Sequence, residues 1–201
     1  MIILNLFSCV LFFEPKITMV EEGLAPEIIV TLDAVTIVVE KELRQLSLYS
    51  EQKLVKIDGK PAQWHVGLGD APLGHKQAEG DERTPEGSYY ISDHSESSSY
   101  HGSILIHYPN TEDAKAGLET EQITEPQYKE IIEAEESKTR PPMNTKLGGW
   151  LLIHGSGKAS GLPSKAGEYD WTNGCVAMSN DDLDELRRSL GKIEGKVLIL
   201  P

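Results

Sequence analysis

Two side chains in this sequence have the type and the setting for covalent chemistry. Cys175 lies in the stretch Asp170-Trp171-Thr172-Asn173-Gly174-Cys175-Val176-Ala177-Met178, and His154 follows the short apolar run Trp150-Leu151-Leu152-Ile153. An unassisted cysteine titrates near ~8.5, so only a few per cent is thiolate at neutral pH. A neighbouring imidazole supplies a proton acceptor that works close to that pH. Gly174 would let a substrate carbonyl approach the backbone. The amides of Asn173, Gly174 and Cys175 would then form an oxyanion hole, a feature worth ~3–4 kcal/mol per donor. Spacing alone does not decide the matter, because a lone cysteine is commonly a small buried hydrophobe.

Other chemistries fit less well. The only other cysteine is Cys9, in an apolar leader, so neither a disulfide scaffold nor a four-cysteine zinc site can be built from the chain's 2 cysteines. His65, His75, His94 and His101 lack metal-ligand spacing, and no His-Glu-x-x-His pattern occurs. No metal and no cofactor are expected. With 19 Lys and Arg against 32 Asp and Glu, the formal charge is -13. Phosphate neutralisation needs clustered cations, so nucleic acid is not an expected partner.

The elements that must position these residues read as mainly β. A chain of 201 residues is long enough for one packed core. Residues 35–39 and 46–48 alternate in the manner of short strands, and Lys53–Ile57, Trp64–Leu68, Tyr89–Ser92, Ser103–Tyr108, Trp150–Ile153 and Lys196–Leu200 complete the set. Gly67–Gly87 reads as a long loop, of the kind that is usually functional or disordered. Thr124, an acidic Glu125 and an early Pro126 open a helix that runs to about Glu136. Ser179 with Asp182 three residues on opens another, striped by Leu183, Leu186 and Leu190 and stopped at Gly191. Two or three short helices on a mainly-β domain are expected, over residues 26–201.

Several motifs in order sharpen this reading. His154-Gly155 and the later Thr172-Asn173-Gly174-Cys175-Val176 resemble the signature of the L,D-transpeptidase catalytic domain (YkuD type). Gly80-Asp81-Glu82-Arg83-Thr84-Pro85-Glu86-Gly87 resembles a loop of the same family. Val38-Val39-Glu40-Lys41 with Arg44-Gln45-Leu46 resembles its opening strands, and Ile106-His107-Tyr108-Pro109-Asn110 a strand end in one branch. The resemblance implies a YkuD-like β-sandwich or barrel-like domain acting on peptidoglycan stem peptides. Cys175 would attack an amide carbonyl and form a thioester, and His154 would take the thiol proton. The Gly155 carbonyl would hold the imidazole in its tautomer, as the third member of a triad does. An amine acceptor then gives a cross-link, and water gives carboxypeptidase activity.

The family usually carries Arg two residues after the cysteine, where this chain has Ala177, as in the branch with the Asp-Trp-Thr-x-Gly-Cys-Ile/Val-Ala version. That leaves open the substrate contacts such an Arg would make, and with them the choice of cross-linking over trimming. Arg83 is the nearest loop cation for a substrate carboxylate, or else a surface charge paired with Glu82 or Glu86, with His107, Tyr108 and Trp171 as further substrate-lining candidates; Trp171 is equally suited to packing. Asp170 suits a loop-fixing hydrogen-bonding role. Competing readings are a zinc peptidase, a sortase and a non-catalytic wall-binding module. A sortase would need an Arg on a late strand, whereas Arg187 and Arg188 fall on a helix.

The leader, residues 1–25 with its linker, contains an apolar run, Ile2–Phe13, too short to span a bilayer, which takes roughly 20 residues. It has the length of a signal-peptide core, without a basic start or a clear cleavage site. Signal, anchor and mis-assigned start are the readings it leaves open. A place in the cell envelope, the periplasm or outside the cell follows from the substrate class. Oligomeric state is not legible.

Overall fold

The structure, a computed structural model, describes residues 35–51, 53–94, 100–156, 167 and 169–201; the leader and the 20–26 linker lie outside them. Strand β1 (Val35–Glu40) pairs antiparallel with β2 (Gln45–Ser50). Its sequence alternates between two environments, as a strand's period of two requires. Ile37 and Val39 enter the main core with Leu46 and Leu48, while Val38 packs with Tyr49 and Leu198 on the opposite face.

After β2 the chain changes partners. β3 (Lys53–Leu54) stays on β2, whereas β4 (Lys56–Ile57) turns through Asp58-Gly59 onto β5 (Lys60–Pro61). Both turn residues have positive φ, 50° and 80°, which suits a tight hairpin. The single strand expected over Lys53–Ile57 is therefore two. β6 (Gln63–His65) returns to β2 and is shorter than the expected Trp64–Leu68, because Leu68–Asp70 leave to support another loop.

β7 (Gly87–Asp93), β8 (Ser103–Ile106), β9 (Leu152–His154), β10 (Val176–Ala177) and β11 (Lys196–Leu200) complete the main sheet. Its order is β10-β9-β8-β7-β11-β1-β2-β3, with β6 also on β2. β1 with β11 and β9 with β10 are parallel, and the other pairs are antiparallel. A mixed sheet that curls around a core of Trp64, Tyr89, Ile104, Ile153, Val176 and Met178 agrees with the mainly-β expectation.

Three helices are present among the described residues. α2 (Glu125–Glu136) begins at the Thr124 cap, in a capping box with Gln127, and α3 (Asn180–Leu190) at the Ser179 cap, ending at Gly191. α1 (Thr111–Glu119) is the addition. Asn110 and Asp113 cap it reciprocally, each side chain accepting the other residue's N–H at 2.9 Å.

Candidate active site

β9 and β10 bring the two candidate residues, His154 and Cys175, together. The parallel register pairs Val176 with Ile153 and Ala177 with His154. Cys175 thus stands one residue before β10, diagonally across from His154. His154 itself closes β9 rather than following it, since the strand starts at Leu152 and not at Trp150.

The imidazole is buried and its orientation is fixed. Nδ1 lies 2.7 Å from the Gly155 carbonyl oxygen, which can only accept, so Nδ1 carries the proton and Nε2 is left as the basic nitrogen. Tyr100 stacks on the ring with centroids 4.0 Å apart, and Trp171 meets it edge-on at 5.8 Å. Burial pushes the His154 pKa down, against the opposing pull of the Gly155 carbonyl. Gly155 is required by space. A Cβ there would stand 2.5 Å from Asn180 Oδ1, the atom that accepts the Ser156 N–H and hydroxyl and ties the turn after His154 to α3.

The Cys175 side chain is only partly covered, yet its surroundings push the thiol up to about 11 by desolvation, with the Leu152 backbone and the Lys76 ammonium opposing. Sγ donates a weak hydrogen bond to the Trp150 carbonyl at 3.9 Å. Thr172 closes the cysteine turn, its hydroxyl donating to the Cys175 carbonyl at 2.7 Å and accepting the Gly174 N–H at 3.1 Å. That bond takes Gly174 N–H out of the expected oxyanion hole. No intramolecular hydrogen bond among the described residues takes up the Cys175 or Asn173 N–H, and Asn173 is exposed.

Three backbone segments meet behind this turn. A Cβ on Gly174, whose φ is 117°, would lie 2.5 Å from the Arg83 carbonyl oxygen; one on Gly69 would lie 2.0 Å from that of Glu82. The 80–87 loop is thus the floor on which the cysteine turn rests. Asp81 organises that floor. Although burial alone would raise its pKa, hydrogen bonds from Lys76 and the Gln77, Ala78 and Arg83 amides hold it below the usual carboxylate range. Asp170 fixes the other side, accepting the Leu68 N–H at 2.9 Å and a fork from Arg44 Nε and Nη2 at 3.1 and 2.8 Å.

The substrate-lining candidates are dispersed. The Arg83 guanidinium turns to the His75 carbonyl at 3.5 Å, with its backbone against Gly174; Glu86, one of its possible partners, pairs with Lys41. His107 and Tyr108 depart from expectation. Tyr108 is fully buried against Tyr89 and has no surface to offer. His107 is bonded to Ser92 through Nε2 and lines a small cavity with Tyr90, Asn110 and Glu135 that neither Cys175 nor His154 reaches. Sequence reasoning missed Tyr100 and the outward turn of Trp150. Trp150 has φ of 57°, uncommon for a bulky residue, and is half exposed. The Gly148-Gly149 pair before it was the available signal: a Cβ on Gly149 would come 2.6 Å from that of Met143. Among the described residues no group of three or more His, Cys, Asp or Glu is arranged for a metal ion.

The family of the L,D-transpeptidase catalytic domain (YkuD) matches residues 34–197, and the chain belongs to that family. Among solved structures, the helical cell shape determining protein Pgp2 from Campylobacter jejuni aligns with TM-score 0.53 at 19% identity, over 83% of this chain and 47% of that one. Its K307A mutant gives 0.54 and 18%, over 84% and 47%. An L,D-transpeptidase from Mycobacterium tuberculosis H37Rv gives 0.43 and 15%, over 84% and 58%. The two Pgp2 structures, at this identity, show a shared fold, and this chain spans about half their length. No curated protein matches the chain. L,D-transpeptidases act on peptidoglycan, typically in the cell envelope. Among the described residues no helix is long and apolar enough to cross a membrane.

Proposed function

We propose that this domain is a cysteine acyltransferase on peptidoglycan stem peptides. The observation that carries the reading is the hydrogen bond from His154 Nδ1–H to the Gly155 carbonyl, which leaves Nε2 basic on the strand beside Cys175. As the thiol sulfur attacks the scissile amide carbonyl, Nε2 takes its proton, and the new S–C bond makes a tetrahedral oxyanion. The Cys175 N–H, with Asn173 N–H beside it, is the donor group available to that oxygen. Collapse breaks the C–N bond, the imidazolium returns the proton to the departing amine, and a thioester remains. In the second half-reaction Nε2 accepts a proton from an incoming amine or water, and the thiol is restored.

Both partners rest uncharged. A lowered imidazole and a raised thiol favour neutral His154 and protonated Cys175 over an ion pair. Proton transfer is therefore concerted with attack, which the fixed tautomer assists. Transfer builds cross-links and hydrolysis trims stem peptides; both fit a role in wall architecture, and Pgp2, which shares the fold, is a cell shape determining protein.

Intact-mass analysis of wild type and Cys175→Ala after incubation with stem tetrapeptides tests this. A thioester adduct on wild type alone is expected, with cross-linked, exchanged or trimmed products telling transfer from hydrolysis. Equal turnover in both proteins would remove Cys175 from the mechanism, and negligible turnover in both would favour a wall-binding module.

A further inference from the structure

An open groove of about 510 Å³ is lined by Glu130 and Ala134 of α2, by Arg140 and Met143 of the segment that follows, and by Trp150. None of the chemistry above uses it, yet Trp150 joins it to the nucleophile. The carbonyl of Trp150 receives the Cys175 thiol, while its ring lines the groove. The left-handed φ of this residue, after Gly148-Gly149 pressed against Met143, turns that ring outward.

Arg140 lies over the same ring, its guanidinium carbon 5.2 Å from the centroid. The side chain is exposed, and among the described residues it forms no salt bridge, although Glu130 lines the same groove. In a chain with 32 acidic residues against 19 basic ones, a guanidinium without a carboxylate partner, stacked on the residue whose carbonyl meets the thiol, is chemically distinctive. Stacking on an indole uses the guanidinium's face and leaves its N–H edge free for a planar, bidentate acceptor.

We propose that Arg140, held on Trp150, binds the C-terminal carboxylate of the peptide whose scissile carbonyl lies at Cys175, and so selects the acyl donor. The proposal rests on the acyl-transfer reading above. Where the scissile bond precedes the last residue of the peptide, the terminal carboxylate stands about 4 Å further along the chain, and Trp150 is the residue that meets both the sulfur and the groove. Two alternatives are less suited. Ala177 is fully buried and offers no cation, and the Arg83 guanidinium is turned to the His75 carbonyl.

The test compares a stem tetrapeptide bearing a free C-terminal carboxylate with the same peptide as its C-terminal amide. Binding is measured by calorimetry on Cys175→Ala protein, and turnover on protein with Cys175 intact. With Arg140 present the carboxylate peptide should bind at least tenfold tighter than the amide. Arg140→Ala should erase that preference and raise KM about tenfold for the free acid, with a smaller change in kcat, and Arg140→Lys should restore part of it. The proposal is overturned if Arg140→Ala keeps the preference, if Arg83→Ala abolishes it instead, or if the Arg140-bearing protein shows none. A preference that depends on Arg140 without Cys175-dependent turnover would sink the thioester reading, and with it donor selection, and leave Arg140 as a carboxylate-binding site alone. Turnover that needs Cys175 but ignores the terminal group would sink this proposal and leave the thioester reading standing.

Discussion

His154 and Cys175 are a pair whose surroundings oppose charge on both members, and that sets how the thiol reacts with simple reagents. Burial lowers the imidazole and raises the thiol to about 11, so thiolate is scarcer at neutral pH than in a free cysteine. Alkylation by iodoacetamide should therefore be slow near pH 7 and climb about tenfold per pH unit to beyond pH 9. Because His154 stays neutral below the ordinary histidine value of ~6.5, kcat/KM should lose activity on the acid side only beneath that value. A plateau in alkylation at about pH 6–7 would mean an ion pair, and would contradict this electrostatic picture. Cys175, His154 and Gly155 were legible because adjacent motif letters carried them. Tyr100 was not: its stacking on His154 spans 54 positions (154 minus 100), and nothing local in a serine-rich stretch marks it.

At the scale of elements, short-range chemistry was readable and long-range pairing was not. Thr124 and Ser179 cap their helices with side-chain hydrogen bonds that a sequence displays directly. Asn110 with Asp113 displays the same signal and was overlooked beside the Tyr108-Pro109-Asn110 motif. β10, only two residues long, exists through its partner β9 and has no periodicity to detect. Trp150 carries the residue type of a strand and a backbone conformation that no strand uses. The Asp170 clamp binds the cysteine loop to two other segments, through Arg44 and Leu68. Asp170→Asn should leave the Arg44 guanidinium without its counterion and weaken the hydrogen bonds from Arg44 and the Leu68 N–H. A loss of about 2–3 kcal/mol in urea unfolding is expected, with a fall in kcat larger than that in thermal inactivation controls. An unchanged midpoint would show that the loop is held elsewhere.

For the whole molecule, one sheet serves both the core and the site. β11 lies between β7 and β1 near the middle of the strand order, and Ile199 is almost wholly buried there. Ile199→Ala should cost roughly 3 kcal/mol. If the domain unfolds as a unit, tryptophan fluorescence and far-ultraviolet circular dichroism should shift together to one lower midpoint. Two separated transitions would mean that the β8–β9–β10 side, with His154 and Cys175, stands independently of the β1–β2 side.

The parallel pairing of β1 with β11 also imposes an order in time. Thr36 meets Lys196 across a sequence separation of 160 (196 minus 36), and β7 waits for the same partner. As the polypeptide emerges from the ribosome, its helices and early hairpins can form locally, but the centre of the sheet stays open until the final strand arrives. The cysteine turn precedes that strand by about twenty residues (196 minus 175). Its thiol is synthesised before the sheet that gives it a partner and a shielded setting is closed.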